Sequence, residues 1–248
     1  MTKKIKILKT EDKKRILNSI RLALKKEFNG NILNAAVYGS MARDDYDSKS
    51  DFDLLVVFRK ISSKDIERLR KIRLRFLKNK IILDFNIHIF SELPQIRKKG
   101  FWHHNRSFFM QKELQMYNRQ IIGKNLFDNV SFTKKEIELE ALRLINSALY
   151  EARGILANEN VKYEQKIRII KSCIYATDYA LAFFGKYQAK RKETFDLFHP
   201  LFKTKINPVY FFDIKTKRIK NISKSDLNKA LDFLSELDEK VYAMYKQD

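Results

Sequence analysis

The stretch Val37-Tyr38-Gly39-Ser40-Met41-Ala42-Arg43 leads through a polar segment, 44–50, to Asp51-Phe52-Asp53-Leu54-Leu55-Val56-Val57-Phe58. Apolar residues run into a Gly-Ser turn, and two aspartates one residue apart open a run of strand formers. Side chains at i and i+2 of a strand share a face, so the carboxylates of Asp51 and Asp53 converge. Converging carboxylates repel each other unless a cation lies between them, and magnesium is the usual partner of hard oxygen ligands beside phosphates. A second run, Lys80 to Phe90, alternates cleanly. Ile81, Leu83, Phe85, Ile87 and Ile89 fall on one face, and Asp84, Asn86 and His88 on the other. If the two strands are neighbours, Asp84 joins Asp51 and Asp53.

Gly39-Ser40-Met41-Ala42-Arg43-Asp44, then Ser50-Asp51-Phe52-Asp53-Leu54, then a later strand with a lone Asp, resembles the polymerase-β-like nucleotidyltransferases. Within them it looks most like the minimal and antibiotic-modifying type, which commonly reads Gly-Ser-x-Ala-Arg-Gly before Ser-Asp-x-Asp-Leu. Asp44 stands where that family often has glycine. The likeness covers roughly residues 10–128. It implies a small mixed sheet with helices on one face and a nucleoside triphosphate as substrate, ATP above all. It also implies two magnesium ions on Asp51, Asp53 and Asp84 as metal ligands and catalytic residues. Gly39 and Ser40 are then the phosphate-binding turn, with Arg43 the nearest cation for a triphosphate and Lys49 a second. Asp44, Asp45 and Asp47 read as solvated loop acids.

Around this stretch the chain is helical. Thr10-Glu11-Asp12 open a helix with Leu17, Ile20, Leu24 and Phe28 at helical spacing, ended by Asn29-Gly30. Ser62 to Asp65 is a capping box, and the helix behind it carries Lys64, Arg68, Lys71, Arg75 and Lys78 as one basic stripe. That stripe is either a phosphate track or a solvated outer face, and the latter is the expectation. Phe101-Trp102-His103-His104 follows Pro94 and Gly100. Adjacent histidines on a regular element point apart, which argues against a metal there, and Trp102 is expected as a core anchor. Residues 107–119 read as helix, and 120–127 as an edge strand and turn.

Thr133 to Glu136 is a second capping box and marks a boundary, giving a catalytic domain over 1–130 and an antiparallel helical bundle over 131–248. The fold class is therefore α+β. Three long amphipathic helices are expected, the last opening at the Ser223 to Asp226 capping box. A short helix is expected over 191–202, and an irregular segment or small hairpin over 207–220. The bundle resembles the HEPN-type helical domains that accompany nucleotidyltransferases, chiefly around Ser172 to Leu181. The nuclease members carry Arg, four to six residues, then His. Arg191 and His199 are separated by seven, so no ribonuclease is read. Tyr175, Asp178 and Tyr179 are the polar candidates to face inward.

Net charge is +21 and uneven: residues 1–130 hold 29 Lys/Arg and 14 Asp/Glu, residues 131–248 hold 22 and 16. Such a field attracts polyanions, nucleic acid included, although a chain rich in Lys, Ile, Asn and Phe is also what an AT-rich genome encodes. The single cysteine, Cys173, excludes an intramolecular disulfide. No stretch is long and apolar enough for a membrane span, and a cytoplasmic protein is expected. Adenylyl transfer to a hydroxyl of a small molecule or protein leads. RNA 3′-end extension and an inactive RNA- or protein-binding module are the alternatives, and a homodimer is open.

Overall fold

A computed structural model describes residues 10–43, 51–93, 108–128, 131–187, 191–216 and 221–246. The chain divides into two compact units, Met1–Ser131 and Phe132–Asp248. The architecture is α+β.

The first unit is a four-stranded sheet of order β3-β2-β1-β4, with β1 at Ile32–Tyr38, β2 at Phe52–Phe58, β3 at Leu83–Ile89 and β4 at Arg119–Ile122. β1 pairs antiparallel with β2 and β4, whereas β2 and β3 are parallel. A parallel pair needs a crossover, and the helix α3 (Ser63–Lys78) supplies it. The Ser62–Asp65 capping box that starts α3 is formed on both sides, Ser62 N donating to Asp65 Oδ2 at 2.9 Å and Asp65 N to Ser62 Oγ at 3.4 Å.

Alternation along β1–β3 makes the sheet two-faced. Ala35, Val37, Phe52, Leu54, Val56, Phe58 and Leu83 pack with Ile20, Leu24 and Phe28 of α1 (Thr10–Phe28) and with Leu69, Ile72 and Phe76 of α3. Leu55 and Val57 point the other way and meet Leu93, Leu114 and Phe127, with Leu114 contributed by α4 (Phe108–Met116). Between β1 and β2 sits a single helical turn, α2 (Ser40–Arg43).

The second unit is all helix: α5 (Lys134–Leu156), α6 (Tyr163–Phe183), α7 (Arg191–Phe202), α8 (Val209–Thr216) and α9 (Lys224–Tyr245), with α5, α6 and α9 packed on one another. The Thr133–Glu136 and Ser223–Asp226 capping boxes are both formed. Cys173 is buried, and burial pushes its thiol well above the usual range. Lys240 Nζ caps the end of α7 by donating to the Phe202 carbonyl at 2.7 Å.

Two expectations need correction here. The segment expected to be irregular or a hairpin contains a helix at Val209–Thr216. Asn207 Oδ1 accepts from Val209 N at 2.9 Å, and Pro208 occupies the first turn, where a missing N–H costs nothing. Val-Tyr-Phe-Phe reads as strand by propensity, but Phe211 is fully buried with its ring 5.2 Å from that of Phe233, and this packing decides the outcome. Tyr175 does not face inward. It is exposed, while Asp178 is buried and accepts a hydrogen bond from Thr194 Oγ1 at 3.4 Å.

Candidate active site

The two acid-bearing strands are neighbours in register: Asp53 lies opposite Asp84, Leu55 opposite Asn86 and Val57 opposite His88. Paired residues of adjacent strands share a face. On the other side of β2, Tyr38 of β1 is the register partner of Asp53. Tyr38, Asp53, Asp84, Asn86 and His88 thus stand on one face, opposite the one that α1 and α3 cover. Each of Asp51, Asp53 and Asp84 places a carboxylate oxygen within 4.8 Å of the others, and all three reach solvent.

Gly39 earns its identity sterically. Its φ is +70°, a left-handed conformation that disfavours a side chain. A Cβ at this position would lie 2.1 Å from Asp53 Oδ2, so the Asp53 carboxylate occupies the space a side chain would need. The motif assigns Gly39 to phosphate approach; the structure adds that glycine makes room for an acid. Ser40 begins α2, and the Gly39 carbonyl accepts from the backbone N–H of Ala42 and Arg43 at 3.0 and 3.1 Å.

Arg43 is less available than expected. Its guanidinium is bonded to the Glu113 carboxylate of α4, and both side chains are largely buried. The pair ties the turn after Gly39 to α4, seventy residues on in the chain. Lys49, together with Asp44, Asp45 and Asp47, lies outside the described residues, as do Trp102, His103 and His104.

Residues that the motif did not name also line this face. Asn86 Nδ2 donates to Tyr38 Oη at 3.5 Å. Burial pushes the Tyr38 phenol up to about 12, the Asn86 bond opposes the shift, and the nearby negative charge of Asp53, Asp84 and Asp51 adds to it. Tyr38 therefore stays a protonated donor through the working range. His88 is 3% exposed and neither ring nitrogen has a hydrogen-bond partner. Its burial lowers the pKa, with the Glu92 charge pulling the other way, which keeps the imidazole neutral. Alternation from Asp84 could have placed Asn86 and His88, and alternation back from Gly39 could have placed Tyr38. Nothing local announces Glu113.

Three comparisons bear on this geometry. Residues 17–115 match the model of the nucleotidyltransferase domain family. This span holds Gly39, Ser40 and all three aspartates, and it ends before the helical unit. The spectinomycin adenyltransferase AAD(9) from Enterococcus faecialis, solved with ATP and spectinomycin, superposes with a TM-score of 0.62 at 12% identity over 92% of this chain and 99% of that one. At that identity the likeness is one of fold. No curated protein matches the sequence. The domain match supports nucleotidyl transfer in general for residues 17–115, and the structural match supports the fold. Among the described residues no helix is long and apolar enough to cross a membrane.

The residues fit a divalent metal. The donor set is entirely carboxylate oxygen, Asp53 and Asp84 come from two hydrogen-bonded strands and Asp51 from the residue just before β2, and solvent reaches them. Hard oxygen donors at this spacing suit magnesium better than softer ions.

Proposed function

We propose that the chain is a magnesium-dependent nucleotidyltransferase that moves AMP from ATP to a hydroxyl of a small molecule or protein and releases pyrophosphate. The observation that carries this reading is the meeting of Asp51, Asp53 and Asp84 on one sheet face beside the Gly39-Ser40 turn. The unit Met1–Ser131 is the catalytic domain in this reading, and the helical unit shapes acceptor choice. The structural neighbour's ATP and spectinomycin support ATP as donor and a small molecule as acceptor. The working compartment is the cytoplasm.

Asp51, Asp53 and Asp84 hold the metal. Bound there, magnesium neutralises phosphate charge and makes the acceptor hydroxyl more acidic. Gly39 and Ser40 hold the β- and γ-phosphates through backbone N–H groups and the Ser40 hydroxyl. The acceptor oxygen attacks the α-phosphorus, the bond from that phosphorus to the bridging oxygen breaks, and pyrophosphate departs with the electron pair. Asp84 takes the hydroxyl proton. Tyr38, kept protonated, adds no further negative charge beside the three carboxylates. Catalysis is positioning plus charge neutralisation.

Titration calorimetry tests the first half: ATP binds in the presence of magnesium and weakens sharply when the metal is chelated. Metal-independent ATP binding, or none, overturns the reading. Labelled ATP incubated with cell extract, then sorted among small molecules, protein and RNA, identifies the acceptor class.

A further inference from the structure

The face of α3 that looks away from the sheet has no part in the chemistry above, and its charge is strongly one-sided. Residues 63–80 contain eight Lys/Arg and two acids. Both acids are taken by neighbours: Asp65 pairs with Arg68 at 3.3 Å and Glu67 with Arg70 at 3.8 Å. Lys64, Lys71, Arg73, Arg75, Lys78 and Lys80 are all exposed, and no ion pair joins them to a carboxylate among the described residues. Like charges three and four residues apart on a helix repel and destabilise it. Genome composition explains many lysines, but not a run, residues 68–80, with seven Lys/Arg and no acid.

At its C-terminal end this row runs into a groove of about 610 Å³ between α1 and α3. Ile16, Phe76 and Ile81 make an apolar floor, Arg75 and Lys80 stand on the rim, and Arg15 on the same rim is ion-paired to Asp12. The Arg75 guanidinium lies over the Phe76 ring, 5.5 Å from its centre. Ser19 and Asn79 add a hydroxyl and an amide to the same groove. An apolar slot with cations on its rim suits an unstacked base with a phosphate on each side, and the hydroxyl and amide suit a ribose 2′-OH.

We propose that single-stranded RNA docks along the outer face of α3, its phosphates on the row from Lys64 to Lys78 and one nucleoside in the groove between α1 and α3. This surface lies behind the sheet from the three aspartates. The docking is therefore separate from the transfer reaction and does not depend on it.

The test is fluorescence anisotropy of a labelled oligouridylate, titrated with the full chain in EDTA without ATP, across a range of salt. The parent binds with affinity that falls steeply with salt. The triple variant Lys71→Gln, Arg75→Gln, Lys78→Gln loses at least about tenfold in affinity, and its salt slope falls by about 2, at roughly 0.7 per phosphate contact on a single strand. A control triple at exposed lysines of the helical unit, Lys135→Gln, Lys171→Gln, Lys224→Gln, changes affinity less than about twofold if the contact is local. Asp53→Asn binds RNA as the parent does, which separates this result from any failure of the transferase reading. Equal losses in the two triples would show only the overall field and overturn the proposal. So would oligodeoxyuridylate binding as tightly as RNA, or phosphatidylserine vesicles binding through the same three residues while RNA binding is unchanged. Circular dichroism melts of both triples confirm that each is folded.

Discussion

The two faces of the sheet are made by alternate residues of the same strands, yet they do opposite things. On one face Leu54 and Val56 are fully buried under α1 and α3. On the other, Asp53 faces Asp84 across a strand pair and meets Asp51. The apolar face is where folding free energy comes from, at about 25 cal/mol per Å² removed from water. The acidic face stores repulsion, which a cation relieves. A strand is the element that can do both at once, because its period of two keeps the functions one residue apart. Close packing behind a carboxylate is also what holds it still.

Substitutions on adjacent residues should pull the two faces apart. Asp53→Asn should lower turnover by about 10²–10³-fold while the metal-free protein melts within about 3 °C of the parent. Pyrophosphate release at the parental rate would sink the role given to that face. Its neighbour Leu54→Ala should do the reverse, costing about 2–5 kcal/mol in urea unfolding while the folded fraction keeps metal-dependent ATP binding. A cost below about 1 kcal/mol would mean that the face is not packed as described. Gly39→Ala sharpens the boundary between the faces. The strained φ should cost about 1–2 kcal/mol, and displacement of Asp53 should abolish the rise in melting temperature that magnesium gives the parent. An undiminished rise would refute the steric link between Gly39 and Asp53.

The smallest expected effect lies at the start of α3, away from the acids. Ser62 accepts from Asp65 N, and its own N–H and hydroxyl donate to the Asp65 carboxylate, which holds that carboxyl below the usual range. A depressed folded-state pKa gives stability that is present above the unfolded value, about 3.9, and is lost as pH falls through the folded value. Ser62→Ala should therefore cost about 1 kcal/mol near neutral pH and progressively less in acid. A cost that does not change with pH would point to the cap hydroxyl alone.

Much of the acidic face was legible because its signals are local. Gly39-Ser40, Asp51-x-Asp53 and the alternation around Asp84 each need only a few residues to be read, and the capping boxes at Ser62, Thr133 and Ser223 likewise lie within four. What failed depended on distant partners. Arg43 reads as a free cation beside a phosphate turn, but its partner Glu113 sits on a helix that no local pattern connects to it. Val209–Thr216 reads as strand-prone, and burial of Phe211 against Phe233 makes it a helix. Tyr175 reads as a polar residue facing inward, yet which side of α6 is covered depends on α5, α8 and α9.

The sequence by itself determined which residues could form a carboxylate cluster, where the helices begin, and that two units follow one another in the chain. Periodicity and capping are properties of neighbours a few positions apart, so they survive without a fold. Tertiary structure alone decided that β3 pairs parallel with β2 in the register that sets Asp84 opposite Asp53. It also decided that Gly39 leaves room for that acid and that Arg43 is already bonded to Glu113. A one-residue slip would have sent Asp84 to the buried face, and register is chosen by the packing of both faces together, not by any segment alone.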